Sequence, residues 1–202
     1  TGVLAADKLV IVSPHQASIR DEYTAAFAAW YKAQKGTDVN VEWRDVGGTS
    51  DILRFLNAEF QKKPGGVGID VFWGGGVDPY IELSDKGLLL PYKLPADQLA
   101  KIPADIGGVP LYDRQFRWYG SAISGFGIMY NKVVLQKLGL PEPQSWADLA
   151  DPRYFNWVGA IDLRHSGAGH AVYEAILQGM GWQKGFEVIT RMAANTRQFS
   201  HG

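Results

Sequence analysis

Four short stretches of this chain combine small, hydroxyl-bearing and basic residues in a way that suits the capture of an anion. They are Ser13-Pro14-His15-Gln16, Gly47-Gly48-Thr49-Ser50, Trp73-Gly74-Gly75-Gly76 and Arg164-His165-Ser166-Gly167-Ala168-Gly169. Each follows a run of strand type and leads toward a helical pattern. The first backbone N–H groups of a helix have no intrahelical acceptor and carry a partial positive charge, so such loops can hold a negative ligand. Ser13, Thr49 and Ser166 add hydroxyls, His15 an imidazole and Arg164 a guanidinium. Gly48, Gly74, Gly167 and Ala168 keep the backbone approachable. Any one of these clusters is explained equally well as an ordinary cap or turn. Four of them at corresponding strand ends favour one shared, small, anionic or polar ligand.

Other chemistries find less support. The histidines are His15, His165, His170 and His201, and no pair has the i, i+4 spacing that seats zinc beside a glutamate. His165 and His170 stand five apart across a glycine turn and read as loop residues, whereas His15 faces a ligand. Gly120-Ser121-Ala122-Ile123-Ser124-Gly125 lacks the spacing of a nucleophile elbow. No lysine follows a glycine run as in a P-loop. Gly167-Ala168-Gly169-His170-Ala171-Val172 opens a helix after a strand like a dinucleotide fingerprint, but Val172 stands where the third glycine belongs. Of the seven tryptophans most fall on core faces. Trp73, set against three glycines, and Tyr119 are the exceptions.

The elements that must position these residues follow from periodicity. Apolar or alternating runs at 8–12, 39–43 and 69–73 predict three strands, interleaved with helices bearing Ile19, Tyr23, Ala26, Phe27 and Trp30, then Ile52, Leu53, Leu56 and Phe60, then 79–86. Gly36 ends the first helix, and Thr49 or Ser50 caps the second. Strand and helix alternating in this way predict a parallel sheet with helices on its faces. The stretch 88–116 is broken by Pro and Gly and predicts a long surface connection. Residues 118–132 follow, with residues of strand type and three glycines placed for close approach, and read as an extended crossing into a second lobe. There, 157–163 predicts a strand, helices follow with Val172, Tyr173, Ile176 and Leu177 and then with Phe186, Ile189 and Met192 inward, and Ser145 caps a turn holding Trp146, Asp148 and Leu149. The expected organisation is an α/β lobe over 1–117, a crossing over 118–132 and a partial second α/β lobe over 133–202. One strand is too little sheet to cover two helices, so the polypeptide is expected to continue.

Composition narrows the classes further. A net charge of −1 across 202 residues gives nucleic-acid binding no electrostatic support. The absence of cysteine excludes disulfides, thiol catalysis and cysteine metal sites. No apolar run is long enough to span a membrane. The opening residues 1–7 read equally as the small-residue tail of a signal peptide or as a remnant of cloning.

In residue order the chain resembles the class II periplasmic solute-binding proteins of ABC transporters, in the branch labelled iron(III)-type, whose members also bind phosphonates, sugar phosphates and other small anions. The resemblance is carried by Ser13-Pro14-His15, by Ile69-Asp70-Val71-Phe72-Trp73-Gly74-Gly75, by Gly127-Ile128-Met129-Tyr130-Asn131-Lys132, and by Ser145-Trp146-Ala147-Asp148-Leu149-Ala150-Asp151-Pro152. It implies two α/β lobes with parallel-type sheets that close about a hinge, and no catalysis. It also implies that Ser13, His15, Gly48, Thr49, Trp73, Ser124, Ser166, Gly167 and Ala168 face the ligand. A monomer in the periplasm, or lipid-anchored outside a Gram-positive cell, would deliver its solute to a transporter permease. It would use no cofactor, and ferric ion would enter only as cargo. Iron-binding members use adjacent tyrosines at a position beyond residue 202, so iron is neither assigned nor excluded. Two other readings stand beside this one: an α/β enzyme using a nucleotide at 167–170 with His165 or His170 as base, and a non-binding fragment that packs against another chain.

Overall fold

A computed structural model describes residues 6–200. The signal-peptide reading of 1–7, apart from Ala6 and Asp7, and the histidine at 201 lie outside the described residues. The chain divides into two compact units, Thr1–Ile123 and Ser124–Gly202.

In the first unit a parallel sheet runs in the order β2-β1-β3, with β1 at Asp7–Val12, β2 at Val39–Arg44 and β3 at Val71–Phe72. Alternation in β1 buries Val10 and Val12, which fits a strand with one face on the core. β3 is shorter than the sequence predicts. The ladder nevertheless extends beyond it, because Asp70 N–H donates to Val10 O at 2.9 Å and Trp73 N–H to Val12 O at 3.0 Å. Helix α2 (Thr49–Lys62) turns Ile52 and Leu56 onto Val12 and onto Leu83 of α3 (Asp78–Asp85), forming the core of this unit.

Helix α1 (Ala17–Lys35) ends at Gly36 with φ 73°, where a left-handed residue favours glycine. Its expected inward face is not buried: no α1 residue is buried, and Tyr23 and Trp30 are each 55% exposed. Periodicity reports a stripe, but burial requires a neighbouring layer, and α1 meets mainly β2. The stretch 88–116 also differs from expectation. It contains α4 (Ala96–Leu99) and a hairpin of β4 (Asp105–Ile106) and β5 (Val109–Pro110), turned by Gly107 and Gly108 at φ 59° and 85°. Arg117 secures the region through Nε to Asp113 Oδ2 at 2.7 Å and Nη1 to Ser84 O at 2.7 Å.

The predicted extended crossing is corrected. Only Tyr119 bridges, to Tyr112, and residues 121–131 belong to no strand among those described. A strand needs a partner edge for its amides, and none pairs with this segment. Close approach explains Gly120 alone, whose Cβ would stand 3.2 Å from Leu111 O, while Gly125 and Gly127 face open space.

In the second unit α5 (Lys132–Leu138) is capped by Asn131, whose Oδ1 accepts from Val134 N–H. A single 3-10 turn, Trp146–Ala150, begins at Ser145 with Asp148 Oδ2 accepting from the Ser145 amide at 2.7 Å. Strand β6 (Val158–Ile161) pairs in parallel with β7 (Thr196–Ser200), which the polar run Thr-Arg-Gln-Phe-Ser did not predict. Between them run α6 (Gly167–Met180) and α7 (Trp182–Asn195). Ile176, Val188 and Met192 join Leu149, Tyr154 and Val158 in the core. Phe186, expected inward, is 42% exposed and lies edge-on to Trp182. Gly185 takes the inner position instead, since a Cβ there would meet Leu177 at 2.9 Å.

Asn195 closes this unit. It is buried, and its Nδ2 donates to Leu149 O at 2.8 Å and Asp151 O at 2.7 Å. Asn195→Ala leaves two carbonyls short of their partner and is expected to lower unfolding stability by about 2 kcal/mol, read as a shifted urea midpoint at unchanged slope.

Candidate functional site

The carboxyl end of the first unit's sheet gathers most of the residues singled out there. Ser13, just past β1, is 1% exposed and touches His15 twice. Its Oγ accepts from the His15 backbone N–H at 3.2 Å and lies 2.8 Å from His15 Nδ1. With Oγ already accepting, donation of its proton to Nδ1 places the ring N–H on Nε2, where it can be offered outward. The imidazole stacks on Trp73 with centroids 4.4 Å apart and planes at 29°. Tyr23 from α1, at 4.4 Å, and Trp43 from β2, at 5.9 Å, complete the surround of the indole. Partial burial pulls the His15 pKa below its ordinary 6.5, because desolvation penalises the charged ring.

The chain after Trp73 can take this path only as glycine. Gly74 has φ 98° and Gly75 φ 86°. A Cβ on Gly74 would occupy the space of His15 Cε1 and Nδ1, and one on Gly75 that of the Thr49 side chain. Tyr80 from α3 fixes the turn: its hydroxyl donates to Gly74 O at 2.8 Å and its ring stacks on Phe72 at 4.5 Å. Burial pushes its phenol well above the usual range.

At the start of α2 the expected cap is corrected. Gly48 holds the cap position and Thr49 is the first helical residue, 5% exposed. The side chain that serves the cap is Asp51, whose Oδ2 accepts from Gly48 N–H at 3.2 Å. A carboxylate three residues into the helix satisfies an end amide and complements the dipole.

In the second unit Ser166 caps α6, accepting from Gly169 N–H at 3.2 Å, with Gly167 and Ala168 in the first turn. Arg164 folds back onto Asp162: Nε donates to Oδ1 at 3.0 Å and Nη2 to Oδ2 at 2.6 Å. That guanidinium holds the buried Asp162 carboxyl far below the usual carboxylate range. Gly169 serves helix–strand packing, since a Cβ there would stand 3.1 Å from Ile161. Ser124 is exposed and lies outside any helix or strand.

Ser13, His15, Thr49, Trp73 and Gly74 are thus brought together, with Gly48 beside Thr49. Arg164, Ser166, Gly167 and Ala168 share one helix start in the other unit. Tyr23, Trp43, Tyr80 and Asp162 were missed. Tyr23 reads as core from its helical stripe, and nothing local marks Trp43 or Tyr80. Asp162, two residues before an arginine at a strand end, carries the signature of a local carboxylate turn. Among the described residues no group of three or more His, Asp or Glu could hold a metal ion, and no helix is long and apolar enough to cross a membrane.

This architecture is that of a periplasmic binding protein: the solved periplasmic binding protein P5PA matches with a TM-score of 0.69 and 26% identity, over 96% of this chain and 57% of that one. The sequence profile of the family described as bacterial extracellular solute-binding protein matches residues 76–202, and the chain belongs to that family. An uncharacterised protein of Haemophilus influenzae is 29% identical over 136 residues, 65% of this chain and 37% of its own length. The phosphoglycerate transport regulatory protein PgtC of Salmonella typhimurium is 31% identical over 74 residues, 37% of this chain and 19% of its own. The chain therefore spans little more than a third of the Haemophilus relative and little more than half of P5PA.

Two outcomes test the sheet-end cluster. The His15 ring, followed by proton NMR, should titrate below 6.5. Because the unfolded chain then takes up that proton more readily, the His15 contribution to stability is complete above 6.5 and is lost as pH falls from there through the folded value. His15→Gln should remove this part of the acid dependence. Gly74→Ala should displace the imidazole from Trp73, altering near-ultraviolet circular dichroism, and cost about 2 kcal/mol of stability.

Proposed function

We propose that this chain forms part of the solute-capturing component of a bacterial ABC transporter and binds a small anionic solute without altering it. The observation that carries the reading is the cluster of Ser13, His15, Thr49, Trp73 and Gly74 at the carboxyl end of a parallel sheet. Such ends are where open α/β sheets receive ligands. The Ser13 and Thr49 hydroxyls, the His15 Nε2–H and the amides near Gly48 are neutral donors suited to phosphoryl or carboxyl oxygens. The capped start of α6, with Ser166, Gly167 and Ala168, offers amides of the same kind in the second unit. Arg164 adds a cation whose direction is set by Asp162, and Ser124 an exposed hydroxyl. The PgtC relative, named for phosphoglycerate transport regulation, favours a phosphorylated small acid over ferric ion as cargo. A periplasmic or extracellular monomer handing its solute to a permease follows from the same reading, and no step of it calls for catalysis.

Isothermal titration against 3-phosphoglycerate, glucose 6-phosphate, inorganic phosphate and ferric citrate tests this. At least one phosphorylated solute should bind, and His15→Ala and Trp73→Ala should each weaken it by about tenfold or more. Silence across the panel, or release of inorganic phosphate from a bound ester, would overturn the proposal.

A further inference from the structure

The first unit also contains a cavity of about 520 Å³ that shares no residue with the sheet-end cluster. It is bounded by the end of α3, the β4–β5 hairpin and the turn leading to Trp118. Trp118 is buried and Tyr112 half-buried, and together with Ile81 they form an apolar and aromatic wall. Three carboxylates, Asp85, Asp105 and Asp113, line the same space against one lining cation, Arg114. Asp113 is bonded to Arg117 at 2.7 Å. Even with Arg117 counted, the surroundings keep an excess of negative charge.

Ser84 supplies the second, independent observation. It lines this cavity and is 2% exposed, and its hydroxyl is the buried side-chain polar atom without a hydrogen-bond partner among the described residues. Its own carbonyl is taken by Arg117 Nη1 at 2.7 Å. Buried hydroxyls in native proteins ordinarily find a partner, so an unmet one beside a cavity points to a group brought from outside.

We infer that this cavity binds a small organic cation, an alkylammonium or guanidinium compound with an apolar body. The body lies against Trp118 and Tyr112, where a cation is also attracted by the aromatic faces. The charged head is held by Asp85 and Asp105, and one of its N–H groups donates to the Ser84 hydroxyl. The volume suits a small molecule rather than a folded partner. The ligand is opposite in charge to the anion proposed for the sheet-end cluster, so the two sites are separately testable.

The test is a titration of the ¹⁵N-labelled protein with agmatine and with phenethylamine, read in amide and indole correlation spectra. Saturable shifts are expected at the Trp118 indole and at the Ser84 and Asp105 amides. Asp85→Asn and Asp105→Asn, each checked for an unchanged near-ultraviolet spectrum, should weaken binding by about tenfold, and added salt should weaken it further. Ser84→Ala should weaken it as well, while neither Asp variant should change the response to 3-phosphoglycerate. The inference is overturned if neither amine gives saturable shifts, if 1-pentanol gives the same shifts, or if binding survives both Asp substitutions unchanged.

Discussion

Space at the end of β3 is the constraint on which the sheet-end cluster depends. His15 fills the volume that a side chain on Gly74 would need, and Thr49 fills the volume beside Gly75. Positive φ at both glycines lets the chain leave Trp73 without meeting either neighbour. The imidazole can then lie flat on the indole while its other edge reaches Ser13. Tyr80 holds the carbonyl of Gly74 from the far side of the turn, and its ring stacks on Phe72. Loop, strand and helix are thereby locked to one another by contacts that leave little alternative packing.

Electrostatics within this cluster come from hydroxyls and backbone rather than from full charges. His15 is kept neutral near pH 7 by desolvation. Arg20, from neighbouring α1, spends its charge on Asp45 at 2.9 Å, and the first turn of α2 already carries the Asp51 carboxylate. The start of α6 is arranged differently, with a serine cap beside a tightly held Asp162–Arg164 pair. An arginine bonded through two nitrogens to a carboxylate two residues earlier is oriented before any ligand arrives.

Several elements show how local pattern and tertiary outcome separate. The stripe on α1 is as regular as the one on α2, yet only α2 buries its residues, because only α2 is met by a second helix, α3, on the sheet's face. Residues 121–131 have strand-forming types without a partner edge, and so form no strand. Conversely β7 has a poor strand composition but is paired by β6. Its residues are mostly exposed, so the backbone ladder rather than side-chain burial defines it.

The order of strands and helices, the glycine stops at Gly36 and Gly139, the Ser145 capping turn and the glycine-rich strand ends were all legible in the sequence. Each depends on residues within a few positions of one another, where backbone preference and short-range hydrogen bonds dominate. So was the grouping of Ser13, His15 and Trp73, because parallel strands place their following loops at one end of the sheet. Left to the tertiary structure were the Tyr23 and Trp43 contacts on Trp73, the Tyr80 bond to Gly74, the displacement of Phe186 by Gly185 and the cavity beside Ser84. These join residues from different elements, often far apart in the chain. Their existence depends on how close the packed layers come, a distance that no local pattern of residue types encodes.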